Sequence, residues 1–106
     1  MDRSEIMGMD QETLLALVEK NFGVKINGLE DENNLSSAWK ILEILVVKGW
    51  IIYVQLRRNL REVDGFKSGP GTIFAQYGSR PNFSTTTEGI CKTGLIALEL
   101  TEGLKV

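Results

Sequence analysis

The 106-residue chain contains no histidine. That absence removes the commonest general base near neutral pH and the commonest metal ligand. Ser-His and Cys-His nucleophiles are excluded with it, and a zinc site lacks its usual donors. Cysteine occurs once, at Cys91, so no disulfide forms within the chain, which suits a reducing compartment. A long uncharged apolar run is also missing. The longest apolar region, 41–56, is broken by Glu43, Lys48, Gly49 and Gln55, so no membrane span is expected. There is no excess of positive charge either. Twelve basic and 14 acidic side chains leave a net charge of −2, and nucleic acid is not an expected partner. The N-terminal MDRSEIMGMDQE is too acidic and polar for a signal peptide, and the expected location is cytoplasmic.

What is present suits one folded domain over 1–106, with 42% hydrophobic and 25% charged residues and no internal repeat. After a short polar leader, DQETLLALVEKNFG predicts a helix capped by Asp10 and stopped at Gly23, with Leu14, Leu15, Val18 and Phe22 on one side. VKINGLEDENN reads as a brief extended piece and an acidic linker, Glu30-Asp31-Glu32, favouring the positive end of the next helix. From Leu35 the spacing of Ala38, Trp39, Leu42 and Val46 predicts a second helix, capped by Asn34 or Ser36 and ending at Gly49. Its apolar stripe leaves only Ser37, Lys40, Glu43 and Lys48 clearly polar. It is either a central core helix or one whose extra face docks a second subunit.

WIIYVQLRRN, 50–59, predicts a strand with Trp50, Ile52, Val54 and Leu56 on one face and Ile51, Tyr53, Gln55 and Arg57 on the other. The second face begins apolar and turns polar. Cover on both faces is therefore expected near the start of the strand, thinning toward Gln55 and Arg57. REVDGFKSGPG is read as a long hairpin connection and TIFAQYG, 72–78, as the antiparallel partner, with a short third strand before a helix that opens at Thr85 and closes near Gly103. The fold class is α+β: an antiparallel sheet of about three strands between helices on both faces, an α/β/α sandwich. Trp39, Trp50 and Cys91 are read as packed core residues.

SSAWKILEILVVKGW, TTTEGICKTGLIALEL and LLALVEKNFG resemble the small phage "ABA sandwich" domain over roughly residues 10–100. The resemblance implies an α/β/α layered domain from a phage or prophage, working in the host bacterial cytoplasm, and no catalytic residues. GFKSGPG and the triple threonine depart from the family's shorter, more acidic pattern.

Chemistry centres on the polar end of the sheet. GFKSGPG offers glycines at 65, 69 and 71 with Lys67 and Ser68, as a phosphate cradle would, but Pro70 removes one backbone donor and the spacing is not that of a Walker loop. It is read first as a turn. The helix start at Ser84, Thr85, Thr86 and Thr87 gathers N–H groups and hydroxyls that cap the helix or receive an anion, and Arg80 lies just before it. Tyr53, Gln55 and Arg57 would add a stacking ring and a planar fork. RRNLR, followed by Glu62 and Asp64, reads as a solvated hairpin end.

The expected function is non-enzymatic binding of a small anionic, nucleotide-like ligand, with sequestration of a host defence signal as one form of it. The candidate binding residues are Tyr53, Gln55, Arg57, Lys67, Ser68, Arg80, Thr85, Thr86 and Thr87, with no metal and no cofactor. The alternative is a homo-oligomeric interaction module that docks a second copy, a host protein or a virion protein. An enzyme would need carboxylates or Lys67, with Glu88 or Asp64 in a deep pocket.

Overall fold

The computed structural model describes residues 1–75 and 80–106. Helix α1 (Arg3–Met7) forms where a polar leader was expected, closed by a capping box between Asp2 and Glu5. Helix α2 (Gln11–Phe22) has the predicted cap: the Asp10 carboxylate accepts from Thr13 N–H at 2.8 Å. It ends at Gly23, whose φ of 68° is a left-handed conformation that favours glycine. Helix α3 (Asp31–Val47) begins four residues before Leu35, so the acidic linker is in fact its first turn. Carboxylates there complement the free N–H groups of the helix.

Strand β1 (Ile51–Arg57) follows as expected, but its partner differs. It pairs antiparallel with β2 (Leu60–Lys67) through an unbroken register from Ile51↔Phe66 to Arg57↔Leu60, so Arg58 and Asn59 form a tight hairpin turn. Most of the expected connection is therefore itself a strand. Its charges obscured the pattern, which keeps Val63 and Gly65 inward and directs Glu62, Asp64 and Phe66 to the other face. Of the expected strand 72–78, Thr72 falls in β3 (Gly71–Thr72), beside β2, 73–75 leave the strand, and 76–78 lie outside the described residues. Within GFKSGPG, the chain turns between Lys67 and Gly71, with Gly69 at φ 100° and Gly71 at φ 79°. The sheet has the order β1-β2-β3.

Helix α4 (Thr86–Thr101) is the centre of the molecule, buried without interruption from Gly89 to Leu98. It packs against α3, β2, α2 and α1. Ile90 and Leu95 are fully buried, and each such side chain contributes roughly 1.5–3 kcal/mol. Close packing is achieved through glycine. A Cβ at Gly94 would lie 2.7 Å from Ile41 Cγ2, and one at Gly89 would lie 2.8 Å from Val63 Cγ2. Cys91 is buried here as expected, and burial, aided by the Glu88 charge, pushes its thiol up to about 12.

The α+β class and the three-stranded antiparallel sheet are those the sequence predicted. The helical cover, however, is one-sided. Helices α3 and α4 pack on the face carrying Ile52, Val54 and Val63, whereas α1 and α2 dock on α4. On the reverse face Ile51 is 56% exposed and Tyr53 is 49% exposed, so the expected second helical layer does not lie over them. On that face Asp64 is covered instead by the backbone N–H groups of Phe74 and Ala75 and by Arg80. No helix among the described residues is long and apolar enough to cross a membrane.

Candidate functional site

The α4 N-terminus has its donors engaged. The Thr85 side chain accepts from Glu88 N–H at 3.1 Å and donates to the Leu29 carbonyl at 2.5 Å. Asp31, from the first turn of α3, accepts from Thr86 N–H at 3.1 Å and from both Thr87 N–H and Thr87 Oγ1 at 2.7 Å. A carboxylate of the chain itself thus sits where the sequence suggested an external anion. Burial opposes the charge on Asp31, but the hydrogen bonds from Thr87 and Thr86 outweigh it and hold its carboxyl below the usual Asp value.

Asp64 is the second focal carboxylate. It is only 1% exposed, and it accepts from Gly65 N–H at 2.8 Å, Phe74 N–H at 2.9 Å and Ala75 N–H at 3.3 Å. Arg80 Nε lies 3.3 Å from its Oδ2, with the guanidinium 5.8 Å from the centroid of the Tyr53 ring. Tyr53 and Arg80 therefore meet, a pairing the sequence did not single out. Lys67 goes elsewhere. Its Nζ donates to the Lys48 carbonyl at the end of α3 (2.7 Å) and stands 6.0 Å from the Trp50 ring. Ser68 is exposed on the turn after Lys67, and Gln55 and Arg57 follow Tyr53 along the outer face of β1. The nine candidates thus fall into three groups: the sheet back with Tyr53, Gln55, Arg57 and Arg80; the β2–β3 turn with Lys67 and Ser68; and the α4 start with Thr85, Thr86 and Thr87.

One concave surface is strongly apolar. Trp39, Leu42, Val46 and Val47 of α3 and Ile52 and Val54 of β1 line a cleft of about 600 Å³. Trp39, expected in the core, is 48% exposed, and Val46 and Val47 are 57% and 88% exposed. The buried side of α3 is supplied by Ala38, Ile41, Leu42 and Leu45, which leaves Trp39 on its flank. A second cleft, of about 500 Å³, continues over the helix to Lys40, Ile44 and Val24. The signal for this surface was the width of the apolar stripe on α3, which exceeds what one buried face needs. A third cleft is polar and smaller, about 300 Å³, between the hairpin turn at Arg58 and Asn59 and the segment carrying Asn82 and Ser84.

No family model matches the chain, and no curated protein or solved structure matches it.

Proposed function

We propose that the protein is a non-enzymatic interaction module that docks another protein through the α3–β1 surface. One observation carries this reading: Trp39, Val46 and Val47 stand exposed around a single cleft completed by Ile52 and Val54. Contiguous apolar surface of this kind, beside polar neighbours such as Lys40 and Glu43, characterises protein docking sites. Trp is favoured as an anchor because it brings large apolar area for few rotatable bonds. The resemblance to phage ABA sandwich domains makes a phage or prophage accessory protein in the host cytoplasm the accompanying proposal. It rests on the helix and cap residues quoted above.

The test is a photo-crosslinking amino acid at position 47 in the full chain inside living cells, with position 12 on exposed α2 as control. Defined protein adducts are expected at 47, absent at 12, and lost when Trp39→Ser is added. Equal labelling at both positions would show that the surface docks nothing.

A small anionic, nucleotide-like ligand is the second reading. It is favoured by the polar cleft at the hairpin turn, where Arg58 and Arg61 supply positive charge beside Asn82 and Ser84. The start of α4 and Arg80 favour such a ligand less, because the Asp31 and Asp64 carboxylates already engage the threonines and the guanidinium. Thermal-shift measurements with nucleotides, on the wild type and on Arg58→Ser, test this reading. A ligand-dependent rise in Tm that Arg58→Ser removes would favour it.

A further inference from the structure

We infer that the occupant of the α3–β1 surface is a second copy of this chain, joined by antiparallel pairing of the two β1 strands about a twofold axis at Val54. The two sheets would then become one sheet of six strands. This inference rests on the reading of that surface as a protein docking site. It adds the partner and the geometry.

The two edges of the sheet are treated differently. β3 closes one edge with only two residues, Gly71–Thr72, too short to template another strand. The other edge is β1, seven residues long and paired with β2 without a bulge. An edge strand that must stay single is usually blunted by charge, proline or a bulge. From Ile51 to Leu56 the sequence is IIYVQL, with no charge and no proline. Alternate residues of such a strand direct N–H and C=O groups away from β2, and another strand satisfies them in full.

A second β1 fits this edge in a specific way. Antiparallel pairing about Val54 sets Ile52 opposite Leu56 and Tyr53 opposite Gln55, and it uses the whole strand. A twofold axis perpendicular to the sheet keeps Ile52, Val54 and Leu56 of both copies on the helical face. Leu56, 55% exposed in one copy, is then covered by its counterparts. The same axis runs the two α3 helices antiparallel beside each other. Leu42, which shares the cleft with Val54, then lies near the axis. Trp39 of one copy meets Val46 and Val47 of the other. The closed, isologous arrangement leaves no β1 edge free to propagate a fibre.

Sedimentation equilibrium on the full chain tests the inference, together with Val54→Cys under mild oxidation and Val47→Glu. A dimer is expected, twice the 11.8 kDa chain mass. Paired Cα atoms across an antiparallel ladder are within disulfide reach, so Val54→Cys should cross-link to itself, since the native Cys91 is buried. Val47→Glu should sediment as a monomer with an unchanged circular dichroism spectrum, because Val47 is already 88% exposed in one copy. A wild-type monomer at all concentrations overturns the inference. If position 47 still gives adducts with other proteins, the docking reading survives; if it gives none, both fall. A dimer whose Val54→Cys form folds but does not cross-link overturns the strand pairing.

Discussion

Thr87 donates both its N–H and its hydroxyl to one oxygen of Asp31, each at 2.7 Å, across 56 positions of sequence. The contact joins the first turn of α3 to the first turn of α4 and lets a carboxylate meet the positive ends of both helices. It accounts for three features together: the early start of α3, the threonine run, and the orientation of the two helices that hold the core.

Asp31→Ala should cost about 1–3 kcal/mol, because it leaves the Thr87 donors without their partner and removes charge from a helix start. Asp31→Asn should cost less, since one oxygen can still accept from Thr87. The stability term also depends on pH. The folded carboxyl is held below its usual value, so the contribution is complete above the unfolded Asp value, about pH 4, and is lost as pH falls through the folded value. Urea unfolding at pH 7 and at pH 3 should show a smaller penalty for Asp31→Ala at the lower pH.

Asp64 anchors the back of the sheet. Asp64→Ala would leave Gly65 and Phe74 N–H groups buried without acceptors, a loss of about 2–3 kcal/mol. Amide exchange at Phe74 should accelerate more than exchange in α4, because only the segment over the strand is released. Arg80→Ala should have a smaller effect. Its side chain is 38% exposed, and the three backbone donors to Asp64 remain.

Cys91 should be unreactive toward alkylating agents in the folded protein at pH 8, since its thiol is pushed up to about 12 by burial and then by the charge of Glu88. Modification should proceed only at the rate of opening. The linkage sign follows from a raised value. Stability from the protonated thiol is complete below the unfolded value near 9.0 and is lost as pH rises toward about 12. Cys91→Ser should shift urea midpoints downward at every pH, because it buries a stronger polar group in the same apolar site.

Legibility in the sequence follows the distance over which each contact acts. Asp10 and Thr13, or Thr85 and Glu88, lie three residues apart, and those helix starts were readable from spacing alone. Asp31 looked like part of a linker because its partners, Thr86 and Thr87, lie 55 and 56 positions away. β2 was hidden for the same reason. Asp64 inside a strand makes sense only once the amides of Phe74 and Ala75 fold over it. The width of the α3 stripe was visible, but which residues it would leave outside depended on where α4 docked. Trp39 and Val47 were therefore not separable from Leu42 and Leu45 by periodicity. In the candidate site, neither the meeting of Arg80 with Tyr53 nor the diversion of Lys67 to the Lys48 carbonyl was legible, because both contacts join segments far apart in sequence.

Gly94 offers a direct test of how tightly α3 and α4 are fitted. Alanine is preferred to glycine in a helix by about 1 kcal/mol, so on propensity alone Gly94→Ala should stabilise. The new methyl would lie 2.7 Å from Ile41 Cγ2 and 3.1 Å from Phe22 Cζ, distances that force side chains or helices to move. Overpacking of that kind costs about 1–3 kcal/mol and should outweigh the propensity gain. The urea midpoint of Gly94→Ala should therefore fall. Adding Ile41→Leu, which removes the offending Cγ2 while keeping the volume, should recover part of the loss. An additive penalty in the double variant would place the strain elsewhere than at the α3–α4 contact.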